Sequence, residues 1–331
     1  MLAHVMRAGG AIDPERIIVV AGHGADHVRD AAMTFDERAQ VVLQEEQLGT
    51  ANAVQQASPA LDGFSGDAVV LYGDTPLIRT DTIARLAEAR RDHDIVVLGF
   101  EAADPGRYGR LIMTGTTLDR IVEFKDASDE ERAVTFCNSG IIMADADLLM
   151  SLVARVKNEN AAEEYYLTDI IGLARSDGLS TTAIACDESE TMGVNSRTEL
   201  AAAEAAFQAR ARSEAMEMGV TLVAPETVHF AFDTHLGRDA FVEQNVVFGT
   251  GVTVETGAKI RAFTHVEDAH IAQGAVIGPF ARIRGGAEIA ERVKIGNFVE
   301  LKKAQLEEGV KVNHLSYVGD AQIGKDSNVG A

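Results

Sequence analysis

The length, composition and charge of this chain exclude several classes of protein before any motif is considered. Its 331 residues suffice for two domains, and 46% of them are apolar. The 51 acidic and 30 basic side chains give a net charge of −21. This charge argues against a nucleic-acid partner, because binding a phosphate backbone requires an excess of Lys and Arg. We find no apolar run near the ~18 residues of a membrane span and no secretory leader, and the two cysteines, Cys137 and Cys186, lack metal-ligand spacing, so we expect no membrane partner, a cytoplasmic location and two buried free thiols.

Strands and helices alternate through the first 200 residues. Short apolar runs typical of buried strands occupy residues 17–20, 41–43, 69–71 and 95–100, and helical segments occupy residues 25–32, 50–57 and 80–91. This alternation predicts an α/β domain with a mostly parallel, doubly wound sheet.

The run at 69–71 is the most informative of these strands. Its three apolar residues show no alternation, which predicts a central strand buried on both faces. It ends in the sequence YGD at 72–74, so Asp74 follows the carboxyl end of a strand, where open α/β sheets bind their ligands. Asp74 is therefore a candidate metal ligand, and the alternative is that it only caps the turn before Pro76.

Gly49 and Thr50 lie where a strand and loop give way to an Ala-rich helix. Free backbone amides at such a point attract a phosphate or the polar edge of a base. Simple capping of the helix by Thr50 explains the same residues equally well.

Other polar residues also stand at predicted strand ends and helix starts. Arg107 and Arg110 are cations in a Gly- and Pro-rich loop and could approach an anionic ligand, and Asn138 comes just before another buried strand. Thr168 is positioned to cap a helix, and Asn195 lies in a loop. Taken singly, each residue fits a cap or a turn as well as a site.

A long Ala- and Glu-rich helix separates the two halves of the chain. Ser196 and Glu199 form a capping-box pattern, and the helix ends at Met218 before Gly219. Its length is about 30 Å at 1.5 Å per residue. We interpret it as a spacer between two bodies.

The second half repeats with a period of six residues. Large apolar anchors occur at the following positions: Val242, Phe248, Val254, Ile260, Val266, then Ile271, Ile277, Ile283, Ile289, Ile295, Leu301, then Leu306, Val312, Val318, and finally Ile323 and Val329. A period of six matches neither a helix nor a strand and predicts a parallel β-helix with three hexads in each coil. The one-residue slips after positions 266, 301 and 318 are most simply loops at coil corners.

Four polar residues leave this pattern and point to chemistry on the solenoid. Arg284, Lys302, His314 and Tyr317 fall outside the anchor positions. A histidine titrates near neutral pH, so His314 could take a proton from an amine while Arg284 and Lys302 hold a phosphate. The alternative is that His314 is a solvated surface residue.

The motifs, taken in order, resemble those of a known family over essentially the whole chain. They are LQEEQLGTANAV, VVLYGDTPLI, YGRL, IVEFKDA, NSGI, EYYLTDI and GVNSR, then a helix, then hexads with GPFARIR, GNFVELKKA and NHLSYVGDAQIG. The sequence closely resembles the bacterial enzymes that are both N-acetylglucosamine-1-phosphate uridylyltransferase and glucosamine-1-phosphate N-acetyltransferase. The resemblance implies an α/β, Rossmann-like nucleotidyltransferase domain at residues 1–197, a linker helix at 198–218 and a left-handed parallel β-helix of hexapeptide repeats at 219–331.

The resemblance also implies the reactions. Such enzymes acetylate glucosamine-1-phosphate with acetyl-CoA, then transfer UMP from UTP to N-acetylglucosamine-1-phosphate, giving UDP-N-acetylglucosamine and pyrophosphate for cell-wall and lipopolysaccharide precursors. It implies Mg²⁺ as cofactor and a homotrimer formed through the β-helix.

Site residues follow from the same resemblance, position by position. The uracil would be held by Gln44, Gly49 and Thr50, and the sugar by Tyr72, Gly73, Gly109, Glu123, Asn138 and Thr168. Asp74 and Asn195 would bind Mg²⁺. In the β-helix the sugar phosphate would contact Arg284, Lys302, Tyr317 and Asn328, with His314 as the general base and Ala331 as the first acetyl-CoA contact.

Two departures from the family pattern and two alternatives complete the expectations. The family opens with a strand and a Gly-rich phosphate loop, which nothing before Met1 supplies, and it continues beyond the final VGA. We therefore expect a fragment cut at both ends and poorly active in both reactions.

The alternatives are another sugar-1-phosphate nucleotidyltransferase with a regulatory or trimerising hexapeptide domain, and an inert assembly module. Lys302 and His314 discriminate, because neither alternative needs a base beside cations.

Overall fold

The computed structural model describes residues 1–330 and divides into two compact units. The first unit comprises residues 1–203, and the second begins at Glu204. The dividing point lies inside the helix Arg197–Glu217, which matches the predicted helix at 198–218 to within one residue at each end. Among the described residues no helix is both long and apolar enough to cross a membrane.

The first unit contains seven helices before the dividing helix, and eight strands. The helices are α1 (Leu2–Gly9), α2 (Ala25–Phe35), α3 (Thr50–Gln55), α4 (Thr80–Arg90), α5 (Asp129–Arg132), α6 (Ala146–Val153) and α7 (Asp169–Ser176), and the dividing helix Arg197–Glu217 is α8. The strands are β1 (Ile17–Ala21), β2 (Ala39–Leu43), β3 (Asp67–Val70), β4 (Ile95–Glu101), β5 (Arg110–Thr114), β6 (Thr117–Val122), β7 (Phe136–Asp145) and β8 (Thr181–Cys186).

The main sheet of this unit is mixed, so the expectation of a mostly parallel sheet is wrong. Its order is β6-β5-β7-β4-β8, with β3 also paired to β7. Strand β7 runs antiparallel to β3, β4 and β5, whereas β4 and β8 are parallel. The β5–β6 pair is a hairpin closed at Gly115, whose φ of 62° suits a tight turn. Strands β1 and β2 form a separate parallel pair.

The central strand is β4 and not the run at 69–71. Residues 95–100 of β4 are all buried, whereas β3 is only partly buried and pairs with β7 alone among the described strands. The prediction of a doubly buried strand at 69–71 is therefore wrong. A short apolar run does not by itself distinguish a strand buried on both faces from a strand buried on one face, because both contain consecutive apolar residues.

The cysteines are both free, but only Cys137 is buried as predicted. Cys186 is half-buried. Burial raises the pKa of the Cys186 thiol to about 12, which keeps it protonated and unreactive.

The second unit is a parallel β-helix built of short strands in three sheets. They are β9 (Thr221–Leu222), β10 (His235–Leu236), β11 (Phe241–Val242), β12 (Val247–Phe248), β13 (Val252–Val254), β14 (Lys259–Ile260), β15 (His265–Val266), β16 (Ala269–Ile271), β17 (Val276–Ile277), β18 (Arg282–Arg284), β19 (Ala287–Ile289), β20 (Lys294–Asn297), β21 (Glu300–Lys302), β22 (Gln305–Leu306), β23 (Lys311–His314), β24 (Tyr317–Gly319), β25 (Gln322–Ile323) and β26 (Asn328–Val329). The sheets have the orders β26-β23-β20-β17-β14-β11-β9, β12-β15-β18-β21-β24 and β10-β13-β16-β19-β22-β25; we call them the first, second and third sheets of the β-helix.

The strand register explains the period of six. Phe241 pairs with Lys259, eighteen residues later, and Lys259 pairs with Val276, seventeen residues later. Each coil therefore consumes three hexads, with one residue fewer where a slip occurs. The anchors fill a single core, in which Val266 and Ile271, for example, are fully buried.

The three slips all fall at one corner, between the second and third sheets. At each slip a residue takes a left-handed conformation, namely Asp268 (φ 46°), Lys303 (φ 49°) or Asp320 (φ 47°). The prediction that slips are corner loops is confirmed.

Candidate active sites

The predicted uracil site of the first unit is organised around Gly49. This residue has φ 120° and ψ 178°, and a Cβ there would lie 2.5 Å from the carbonyl oxygen of Tyr165. The buried amide of Gln44 donates to the Gly49 carbonyl (3.2 Å) and to Asn52 Oδ1 (2.8 Å). The structure thus brings Gln44 and Gly49 together as predicted, and adds Asn52.

Thr50 does not cap its helix. It is the first residue of α3, whose N-cap is Gly49 with no side-chain cap bond. The Thr50 hydroxyl instead accepts from the backbone amide of Leu167 at 2.9 Å and bonds the Tyr72 hydroxyl. The capping interpretation of Thr50 is therefore wrong, and the residue ties two distant segments to the site.

Tyr72, Glu123 and Thr168 form the polar wall of the predicted sugar site. Thr168 Oγ1 donates to Glu123 Oε1 at 3.1 Å, although Thr168 stands at the N-cap of α7, where its side chain makes no cap bond. Burial raises the pKa of Glu123. Burial raises the pKa of Tyr72 to about 12, with the Glu123 and Asp74 charges adding to the shift. Tyr72 is therefore a neutral hydrogen-bonding group at neutral pH.

Gly109 and Asn138 adjoin Glu123. The backbone amide of Asn138 donates to the Gly109 carbonyl at 2.8 Å, and a Cβ on Gly109 would lie 3.4 Å from both carboxylate oxygens of Glu123. Asn138 lies within β7, although the sequence placed it before a strand. Three of the six residues predicted to line the sugar therefore lie in adjoining segments.

Asp74 and Asn195 lie on segments joined by a backbone hydrogen bond. The amide of Val194 donates to the Asp74 carbonyl at 2.9 Å, and the amide of Asn195 donates to Glu199 Oε2 at 2.7 Å. Asn195 is exposed and Asp74 partly exposed. A carboxylate and an amide oxygen suit Mg²⁺, which usually takes few protein ligands and keeps water or substrate phosphates on its other positions, so these two residues fit the ion.

Arg110 does not face a ligand, contrary to the expectation for its loop. Its side chain is 1% exposed, and its guanidinium donates to the carbonyl oxygens of Tyr108, Gly106 and Arg132. Arg107 is exposed.

In the second unit, the predicted phosphate ligands share the outer face of the second sheet. Arg284 lies opposite Lys302 on β18 and β21, and Glu300 lies opposite Tyr317 on β21 and β24. Arg284 Nε donates to Glu300 Oε1 at 2.7 Å, which raises the pKa of Arg284. Lys302 Nζ lies 4.0 Å from Asp320. Two cations and a phenol therefore meet on one solvated face.

His314 and Asn328 belong to the first sheet and not to the second. His314 ends β23 opposite Asn297, and Asn328 lies opposite Lys311 in the next coil. Asn313 Nδ2 donates to Asn328 Oδ1 at 2.8 Å. His314 and Tyr317 flank the corner that joins the two sheets, while Asn328 lies three positions along from the His314 register. The predicted acetyl-CoA contact, Ala331, lies outside the described residues.

Sequence reasoning missed three residues that support these sites. Gly140 (φ 89°) leaves room for the Tyr72 ring, since a Cβ there would lie 2.6 Å from it. Asn52 fixes the Gln44 amide, and Glu300 orients Arg284. Only Gly140 carries a sequence signal, because a glycine inside a strand often marks a close approach.

Comparison with known proteins bears on both units. Residues 1–162 match the model of the MobA-like NTP transferase domain, and residues 268–303 match the bacterial transferase hexapeptide (six repeats). The "Bifunctional protein GlmU" of Cereibacter sphaeroides is 63% identical over 331 residues, which are 100% of this chain and 73% of that protein. Those of Ruegeria sp. and Jannaschia sp. are 61% and 56% identical over the whole chain and 74% and 73% of their own lengths.

The chain belongs to the GlmU family of bifunctional proteins. It is a bifunctional transferase, with a nucleotidyltransferase and an acetyltransferase activity. This membership decides against a nucleotidyltransferase with a merely regulatory tail and against an inert assembly module. A solved UDP-glucose pyrophosphorylase complexed with UDP-glucose is 15% identical, with TM-score 0.49 over 63% of this chain and 86% of that one.

Proposed function

We propose that residues 1–197 transfer UMP from UTP to N-acetylglucosamine-1-phosphate, and that the β-helix acetylates glucosamine-1-phosphate with acetyl-CoA. The observation that carries this assignment is the presence of two separate polar sites of different chemistry. The first has a neutral Tyr72 and a hydrogen-bonded Glu123 suited to a sugar. The second pairs Arg284 with Lys302, which suits a phosphate.

The first site supports in-line transfer at a phosphate. A phosphate oxygen of the sugar phosphate attacks the α-phosphorus of UTP, the new P–O bond forms, and pyrophosphate leaves. Gln44 and Gly49 hold the uracil with Thr50, while Glu123 and Asn138 orient the sugar. Their contribution is positioning, since this reaction requires no proton to be removed from carbon or nitrogen.

Asp74 and Asn195 would hold Mg²⁺ in this site. When bound, Mg²⁺ neutralises the negative charge of the phosphates. The surrounding protein is acidic, so a cation is needed to bring a triphosphate close to Asp74.

The second site supports acyl transfer to an amine. The nitrogen of glucosamine-1-phosphate attacks the thioester carbonyl, a C–N bond forms, and the C–S bond breaks. His314 removes the proton from the nitrogen and returns it to the departing thiolate. Arg284 and Lys302, with Tyr317 and Asn328, fix the sugar phosphate. Both UTP and acetyl-CoA are cytoplasmic metabolites, which supports a cytoplasmic location.

We further propose that the β-helix assembles as a homotrimer through an aromatic ladder. The ladder consists of Phe263, Phe280, Phe298 and Leu315, which occupy one corner in four consecutive coils and are 45–69% exposed. Phe263 and Phe280 stack at 4.8 Å, and Phe280 and Phe298 at 5.2 Å. An exposed apolar strip of this kind is typical of an interface.

A comparison of the three corners supports this interface. Each ladder residue has a positive φ, between 48° and 60°, which large side chains rarely adopt. At the other two corners the left-handed positions hold glycine or charged residues: Asp239, Gly257, Gly274, Arg292, Gly309 and Asp326 at one, and Gly251, Asp268, Gly285, Gly286, Lys303 and Asp320 at the other. The backbone thus does not require aromatic residues there, so their presence fits contact with a second copy.

Substitution of one residue in each site tests the division of labour. Asp74→Ala should lower uridylyl transfer by about 10²- to 10³-fold and leave acetyl transfer unchanged. His314→Ala should lower acetyl transfer by about 10²- to 10⁴-fold and leave uridylyl transfer unchanged. Both rates are measured on each variant, with substitution of the exposed His235 on β10 by Ala as a control.

One result would show that a variant is unsuitable and another would contradict the assignment. Loss of both activities in the Asp74 variant would indicate unfolding and not the removal of a ligand. An acetylation rate within a factor of two of the unsubstituted protein would remove His314 from the mechanism.

A further inference from the structure

Arg110 is a buried cation whose hydrogen bonds go to backbone carbonyls. Its Nη2 donates to the carbonyl of Gly106 at 3.1 Å, and Nε and Nη2 both donate to that of Arg132 at 3.3 Å, with Nη1 bonded to Tyr108. Burying a guanidinium is costly unless its donors are satisfied. Holding several carbonyls from separate segments is what the planar, five-donor fork of arginine does well.

The strand register places Arg110 next to three segments that carry predicted sugar ligands. Arg110 lies opposite Val122 on β6 and opposite Cys137 on β7. The residues next to these three in sequence are Gly109, Glu123 and Asn138, the residues that we assign to the sugar. A shift of Arg110 would therefore displace all three.

The same guanidinium also restrains the segment that follows Glu123. Its Cζ lies 6.0 Å from the centre of the Phe124 ring, and that of Arg132 lies 4.8 Å from it. Arg132 Nε donates to the Phe124 carbonyl at 3.3 Å. Arg110 is thereby connected, through Arg132 and Phe124, to the backbone that carries the Glu123 carboxylate.

We propose that Arg110 is a positioning residue that sets the sugar affinity of the uridylyltransferase site. It does so by fixing Gly109 and Glu123, without touching the substrate. This rests on the proposed assignment of those residues to N-acetylglucosamine. It separates Arg110 from the base and phosphate contacts, which lie on other segments.

The experiment compares UDP-N-acetylglucosamine with UDP, which has the same uridine and diphosphate but lacks the N-acetylglucosamine. Kd for each ligand is measured by calorimetry with Arg110→Met, Arg110→Lys and the unsubstituted protein. For Arg110→Met the sugar advantage, Kd of UDP divided by Kd of UDP-N-acetylglucosamine, should fall about tenfold while Kd of UDP changes less than about twofold. Arg110→Lys keeps the charge but not the planar guanidinium, and its sugar advantage should fall about threefold.

Arg120→Met is the matched control, since Arg120 lies on the neighbouring β6 and is exposed, with a surface ion pair to Glu131 at 2.8 Å. It should leave the sugar advantage unchanged. The proposal is overturned if Arg110→Met weakens both ligands equally, or if a folded variant keeps the full sugar advantage. If the unsubstituted protein shows no sugar advantage, the assignment of the sugar site itself fails.

Discussion

Gly49 shows how a single residue without a side chain can set the course of the backbone at the predicted uracil site. Its φ of 120° with an extended ψ is a conformation that essentially only glycine adopts. The backbone of Tyr165 occupies the space where a Cβ would lie, at 2.5 Å from its oxygen and 2.7 Å from its nitrogen. Because the clash is with backbone, no rotamer change can relieve it.

We therefore expect Gly49→Ala to lower the free energy of unfolding of the first unit by about 3 kcal/mol. It should also weaken UTP binding, because the clash displaces the segment that bonds Thr50. Urea unfolding followed by circular dichroism, together with calorimetry of UTP binding, measures both effects.

Gly24→Ala is the control for the backbone conformation alone. Gly24 has φ 73° but nothing within 4 Å of the position that a Cβ would occupy. Its substitution by Ala should therefore lower the free energy of unfolding by only about 1 kcal/mol. Equal losses in the two variants would show that the contact with Tyr165 yields and that the steric argument is wrong.

Helix α8 is more than a spacer, because its second half packs on the β-helix. The Gln208 amide is 3% exposed; it donates to the Phe230 carbonyl at 2.7 Å and accepts from the Phe230 amide at 2.9 Å. Arg212 Nε donates to the Val228 carbonyl at 2.9 Å, and Ala215 joins the buried core. The helix thus covers part of the apolar interior of the β-helix, as capping elements do in repeat proteins.

Gln208→Ala should destabilise the second unit by about 2 to 4 kcal/mol, because two buried backbone groups lose their partners. Ser213→Ala, on the exposed side of the same helix, should change stability by less than about 0.5 kcal/mol. Hydrogen exchange of the Phe230 amide gives the local measurement. Unchanged protection in the Gln208 variant would mean that water replaces the side chain without loss.

At the scale of the whole molecule, the aromatic ladder should govern association. Phe280→Asn removes the central ring of the ladder. The backbone at this position is left-handed, and asparagine tolerates that conformation. We expect sedimentation velocity to show trimers for the unsubstituted protein and a dissociation constant raised at least about 30-fold for Phe280→Asn, since buried aromatic anchors commonly contribute about 2 kcal/mol or more.

Arg292→Asn makes the equivalent change at another corner, where φ is 58°, and should leave association unchanged. A Phe280→Asn protein that sediments as the unsubstituted trimer would exclude the ladder as the interface. So would an unsubstituted protein that is monomeric at high concentration.

The sequence by itself determined the β-helix, the dividing helix and the order of α/β elements. The hexad period and its slips reappear as register offsets and as one recurring corner, because each hexad contributes one large anchor side chain to the narrow core. The family motifs likewise predicted a set of site residues, and the structure groups three of them, Tyr72, Glu123 and Thr168. Such local patterns can be recognised in the sequence because they repeat or because the chemistry requires particular residues.

Tertiary structure alone decided the strand pairing and the roles of individual polar groups. The apolar run at 69–71 belongs to a half-covered strand, and Thr50 and Thr168 bond distant segments although their positions suggested caps. Arg110, which appeared in the sequence as a free cation, is buried among carbonyls. Thr50 and Thr168 bond residues far along the chain. Arg110 bonds the nearby Gly106 and also Arg132 on another segment. Such hydrogen bonds depend on the segments that packing brings to a side chain, which no local pattern encodes.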